Sequence, residues 1–169
     1  MIFGNKENFA IECYDDLVDT DKKWVFGRMC LWCTSNALGD ITEPSCMLNV
    51  TEGSLSKFIS EKDNLDSAEL NELNDEEAYS FLNKKLYGAD EETSIEQITY
   101  DAKKYFKYDF LTNGGESFDG FQSYIIKNND TFRILFRNSI DDLFFCNVEA
   151  KKVNNAIESF LKWIEEKKG

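Results

Sequence analysis

Histidine is absent from this 169-residue chain. That absence removes the commonest general base, the usual activator of serine and cysteine nucleophiles, and the commonest transition-metal ligand. Cys–His and Ser–His–Asp machinery is therefore excluded, and a zinc site of the usual Cys/His kind would be left with only its scattered cysteines. Proline occurs once, at Pro44, and no apolar run approaches the ~20 residues of a membrane-spanning helix. The start, Met1-Ile2-Phe3-Gly4-Asn5-Lys6-Glu7, has no basic stretch, apolar core or small-residue cleavage site of a secretory leader, so a reducing cytoplasm is the expected setting. Phosphate-cradling loops are missing as well. No P-loop or Gly-x-Gly-x-x-Gly occurs, and Asn113-Gly114-Gly115-Glu116 lacks the lysine and the helix start such a loop needs. Asp16, Asp19 and Asp21 are not followed by the glycine and closing glutamate of a calcium loop. No metal or cofactor is expected.

Five cysteines are present, an odd number and scattered: Cys13, Cys30, Cys33, Cys46 and Cys146. Cys30 and Cys33 match C-x-x-C, but they sit in the apolar run Trp24 to Cys33, which reads as a strand. There, positions i and i+3 point to opposite faces, so these residues are expected to be buried thiols. Hydrophobic content of 42% and aromatic content of 14% give the chain enough apolar surface for a real core. A single domain over 1–169 is expected, since no linker or repeat is visible.

Charge is present in excess and of one sign. The formal net charge is −13. Residues 61–101 carry thirteen carboxylates, opposed only by Lys62, Lys84 and Lys85, so this segment holds −10 of it. Such a surface repels nucleic acid and anionic membranes and attracts basic proteins. A solvated face that merely keeps the protein soluble would look the same in sequence.

Hydrophobic spacing divides the chain in three. Phe9, Ile11 and Cys13 share one parity, with Glu12 on the other, as in a half-buried strand, and the polar stretch Asp15 to Lys23 is expected to turn the chain. Trp24 to Cys33 is apolar on both parities except at Arg28, which predicts a central strand with Gly27 at a bulge or close approach. Ser35 to Ser45 reads as a loop and Cys46 to Val50 as a short strand. The middle is helical: Leu55, Phe58 and Ile59 share one face, and Asn74 with Glu77 forms a capping box ahead of Ala78, Phe81, Leu82 and Leu86, which Gly88 stops. Ser94 with Gln97 opens another helix, with Ile95, Ile98, Ala102 and Tyr105 as its stripe. Phe121 to Lys127 and Phe132 to Arg137 flank Asn128-Asn129-Asp130-Thr131 as a hairpin. Phe144, Cys146 and Val148 form a third strand after a turn at Ser139 to Asp142. A closing helix carries Val153, Ile157, Phe160, Leu161 and Ile164. The expected class is α+β: an antiparallel sheet from N-terminal and C-terminal strand blocks, with the acidic middle helices and the C-terminal helix mainly on one face.

The segments Met1 to Glu12, Trp24-Val25-Phe26-Gly27-Arg28-Met29-Cys30-Leu31-Trp32 and Leu38-Gly39-Asp40 resemble the immunity protein forty-two family. These are small cytoplasmic proteins of bacterial polymorphic-toxin and contact-dependent inhibition systems. Gly115-Glu116-Ser117-Phe118-Asp119, the hairpin from Tyr124 to Phe136, and Phe160-Leu161-Lys162-Trp163-Ile164 extend the likeness, which fades through the acidic middle. The resemblance implies a protein that is not an enzyme and that binds and neutralises a cognate toxin. Phe9, Trp24, Phe26, Trp32, Phe118, Tyr124 and Trp163 among the matching residues are expected in the core. Joined to the charge pattern, the resemblance points to stoichiometric inhibition of a basic toxin domain, a nuclease being one such domain, through partner-binding residues Glu72, Asp75, Glu76, Glu77, Asp90, Glu91 and Glu92. An acidic adaptor or regulatory module with no toxin partner fits the same composition, and a hydrolase with a carboxylate pair is a third reading.

Overall fold

The computed structural model describes residues 1–18, 23–137 and 142–168. Strand β1 (Ile2–Asn5) pairs antiparallel with β2 (Phe9–Val18), and β2 with β3 (Val25–Cys33). On its other side β3 takes the short strands β4 (Asn36–Leu38) and β5 (Cys46–Met47) at different points along its length. Asp15 to Val18 thus continue a strand where a turn was expected; residues 19–22 of that expected turn lie outside the described residues. The strand carries on through a register shift between Asp15 and Leu17, opposite Gly27. A Cβ at Gly27 would lie 2.0 Å from the Tyr14 carbonyl oxygen, so the bulge needs a residue without one.

Helix α1 (Leu48–Glu61) begins at Leu48, so only the first two residues of the predicted strand Cys46 to Val50 are extended. Helices α2 (Ala68–Asn71), α3 (Asp75–Tyr87) and α4 (Ile95–Tyr105) follow. The chain then forms β6 (Gln122–Asn128), β7 (Thr131–Arg137) and β8 (Leu143–Glu149), a second antiparallel sheet in the order β6-β7-β8. The hairpin turns over Asn129 and Asp130, with Asn129 at φ 52°. Most of the predicted turn before β8, residues 139–141, lies outside the described residues. Helix α5 (Ala150–Lys168) closes the chain. The class is α+β and the strands are antiparallel, as the spacing predicts; the two strand blocks form two sheets rather than one.

Packing follows the parities read from the sequence. Phe9, Ile11 and Cys13 share one face with Val25, Met29, Leu31 and Cys33, all buried. Helix α5 lies against β1, β2 and β3 and also reaches β7 and β8. Its Phe160 and Trp163 meet Phe3 at ring-centroid distances of 6.4 and 6.1 Å. Phe58 of α1 packs edge-on against Phe132 of β7 at 5.3 Å, and each such fully buried ring contributes about 2–3 kcal/mol of transfer free energy. The opposite face of the second sheet is covered too. There Tyr79 of α3 meets Tyr124 at 5.3 Å, and the Arg133 guanidinium donates to the carbonyls of Leu70 and Leu73 at 2.5 and 2.8 Å.

The loop after β4 meets the 3-10 turn that precedes β6. Gly39, at φ +101°, has the Phe118 ring 3.0 Å from where a Cβ would stand, and Asp40 N–H donates to Ser117 O at 2.6 Å. The five cysteines are free and buried. Burial pushes the Cys13 and Cys30 thiols up to about 12, so neither is a thiolate nucleophile.

Candidate functional site

The seven carboxylates singled out in the sequence fall at the two ends of α3. A helix of 13 residues spans about 20 Å, so the fold separates them into two patches.

At the N-terminal end most of the charge is already engaged. Asn74 Oδ1 accepts the Glu77 N–H and Glu77 Oε2 accepts the Asn74 N–H, both at 3.0 Å, completing the predicted capping box. Asp75 lies 3.8 Å from Arg133 Nη1, and Glu76 pairs with Arg137. Both arginines stand on the face of β7 turned toward α3. Glu72, exposed just after α2, is the one member of this group outside these contacts.

At the C-terminal end the carboxylates face solvent. Asp90 Oδ1 accepts from Thr93 Oγ1 at 2.7 Å and from the Glu92 N–H at 3.1 Å, and the Thr93 bond leads the causes that hold its carboxyl below the usual range. Glu91, Glu92 and Glu96 are exposed, with no cationic partner among the described residues. Ser94 Oγ caps α4 by accepting the Gln97 N–H at 3.2 Å.

Helix α4 departs from its predicted packing. Of the stripe Ile95, Ile98, Ala102 and Tyr105, only Tyr105 is buried, against Phe81 at 5.3 Å. Ile95 is 78% exposed, Ile98 42% and Tyr100 58%, whereas Asp101 is only 6% exposed. The reason is what α4 rests on: its main neighbour is α3, and no further element covers the face that carries Ile95 and Ile98 among the described residues. Asp101 Oδ2 takes Lys85 Nζ of α3 at 3.3 Å. Gln97, one turn back, and then Lys85 hold the Asp101 carboxyl below its ordinary value. Between α3 and α4 lies a notch of about 230 Å³, lined among others by Lys84, Lys85, Asp90, Thr93, Ile98 and Asp101.

The sequence model of the family described as immunity protein 42 matches residues 1–163. The chain belongs to that family. The crystal structure of CdiI from Burkholderia dolosa AUO158 has a similar fold, with a TM-score of 0.71 over 96% of this chain and 99% of that one, at 15% sequence identity. No curated protein sequence matches the chain.

Within this immunity-family fold, several of the motif residues are not where core packing was expected. Phe9, Phe118, Tyr124 and Trp163 are buried, but Phe26 and Trp32 are only partly covered and Trp24 is 46% exposed. Trp32 stands on the face of the first sheet turned away from α1 and α5. Glu12, on the same face, accepts from Lys6 Nζ at 2.5 Å, Tyr14 Oη at 2.8 Å and Trp32 Nε1 at 2.8 Å. Lys6 also lies 4.3 Å over the Trp32 ring, and Arg28 makes a two-pronged bond to Asp16. This charged and aromatic lattice was missed in the sequence. Its signal was present in the alternation of Glu12, Tyr14 and Asp16 opposite Arg28 and Trp32. Among the described residues no group of three or more His, Cys, Asp or Glu side chains is placed to hold a metal ion, and no helix is long and apolar enough to cross a membrane.

Proposed function

We propose that this chain is a cytoplasmic immunity protein of a polymorphic-toxin or contact-dependent inhibition system. It neutralises a cognate toxin domain by binding it stoichiometrically, without catalysis of its own. The observation that carries this reading is the family match across residues 1–163, in a chain whose residues 61–101 carry −10 of its net charge. The partner that fits such a surface is a basic domain. A nuclease is the clearest case, because carboxylates can occupy the positions its cleft keeps for phosphates. Complementary charge speeds encounter and rejects wrong partners, while a few desolvated contacts set the lifetime of the complex.

The test is co-expression with the toxin domain encoded beside it, followed by titration calorimetry with an inactivated form of that domain. Restored growth and a saturable complex of fixed stoichiometry are expected. Growth arrest that the chain does not relieve, with no heat of binding, would refute the proposal and leave an adaptor role.

A further inference from the structure

We propose that the notch between α3 and α4 receives a cationic side chain of the toxin domain, and that Asp101 is the group it reaches. This inference rests on the toxin-binding reading above and names the place on the surface where that binding is anchored.

The first observation is an unmet carboxylate oxygen. Asp101 is 6% exposed; its Oδ2 is held by Lys85, but its Oδ1 is shut off from solvent and has no hydrogen-bond partner among the described residues. Gln97, one turn back on α4, lowers the pKa of the same carboxyl. A buried acceptor left unpaired costs free energy that a donor from a partner would recover. Asp101 lines the 230 Å³ notch together with Asp90, Thr93 and Ile98.

The second observation is the surround. Residues 84–104 hold Asp90, Glu91, Glu92, Glu96 and Asp101 against Lys84, Lys85, Lys103 and Lys104, and Glu91, Glu92 and Glu96 have no cationic partner among the described residues, so an incoming cation meets unpaired negative charge near the notch. Ile98, which lines the notch, is 42% exposed, and Ile95, one turn earlier on α4, is also exposed. An apolar centre next to a charged pocket is the anatomy of an interface hot spot, where an inserted arginine or lysine is sealed from water by neighbouring apolar contacts. The other end of α3 lacks this vacancy, because Asp75 and Glu76 already face Arg133 and Arg137 and Glu77 caps the helix.

Calorimetric titration of the full chain with the inactivated toxin domain encoded beside it tests the assignment. Asp101→Asn keeps the side-chain shape and removes the charge, and is expected to weaken binding about tenfold to a hundredfold. Because it also weakens the pair with Lys85, a second variant that spares the core is needed. Ile98→Lys, at the exposed rim, is expected to weaken binding by at least about tenfold. Glu166→Gln on the exposed face of α5 changes the charge by the same one unit as each notch variant, and as the control should stay within about twofold. Weakening by both notch variants, with circular dichroism unchanged, supports the assignment. Wild-type affinity in both variants overturns it, most sharply if Glu72→Lys or Trp24→Ala then weakens the complex, since that places the interface elsewhere and leaves the toxin reading standing. Absence of binding by the wild-type chain removes the toxin reading and this inference together.

Discussion

Replacing Glu12 by alanine removes the acceptor at the centre of the open sheet face. Three donors converge on it, from Lys6, Tyr14 and Trp32, and Glu12 itself is only 7% exposed. A hydrogen bond to a charged group contributes about 1.5–3 kcal/mol when both partners are dry. The Lys6 side chain is 37% exposed and Tyr14 45%, so water can take over much of what those two donors lose. The bond from Trp32 and the burial of the carboxylate then dominate, and Glu12→Ala is expected to cost about 2–4 kcal/mol rather than the sum of three full bonds. For a domain of this length that corresponds to a fall in Tm of roughly 5–15 °C. Glu12→Gln keeps the volume and one acceptor oxygen and should cost about half as much. Burial alone would raise the Glu12 pKa, but the bonds from Lys6, Tyr14 and Trp32 outweigh it and hold the group below its ordinary 4.5. A depressed folded-state pKa means the stabilisation is complete above that ordinary value and fades as pH falls through the folded one. The stability gap between wild type and Glu12→Gln, measured by urea unfolding, should therefore be full at neutral pH and shrink as pH drops below the ordinary carboxylate value. A Glu12→Ala loss under about 0.5 kcal/mol, or a gap that stays constant down to strongly acid pH, would show the lattice to be a solvated surface pairing and refute the reasoning.

Other outcomes follow from local geometry. Gly27→Ala places a Cβ against the Tyr14 carbonyl and should destabilise by about 3 kcal/mol or more in chemical denaturation, whereas Gly53→Ala, where a Cβ meets nothing within 4 Å, should be neutral or slightly stabilising. Asn74→Ala removes the cap of α3 and is expected to cost about 1 kcal/mol, read as a shift in denaturation midpoint at unchanged slope. All five thiols are buried, so a thiol reagent at mildly alkaline pH should leave the native protein unlabelled and react with five groups only after denaturant is added.

Features whose cause is local were readable before any coordinates. The capping box at Asn74 and Glu77, the hairpin around Asn129 and Asp130, and the apolar stripe of α5 each depend on residues within a few positions of one another. What escaped depends on distant partners. Strand β1 is four residues long and is recognisable only by its pairing with Phe9–Glu12. The extension of β2 through Asp15 and Asp16 rests on Gly27 across the ladder, and Leu48 starts a helix where an isolated reading continues a strand.

The candidate site shows the same division. Amino-acid order alone determined that the negative charge gathers in residues 61–101, that histidine chemistry is unavailable, and that two antiparallel strand blocks flank helices. Order could not say which carboxylates remain available, because Arg133 and Arg137, which occupy Asp75 and Glu76, are some sixty positions away. Nor could it say which apolar faces stay uncovered. Strand β3 is apolar on both parities and α4 has a regular stripe, yet Phe26 and Trp32 are only partly covered and Ile95 and Ile98 are exposed, since periodicity marks a face but only the placement of other elements decides whether anything packs on it.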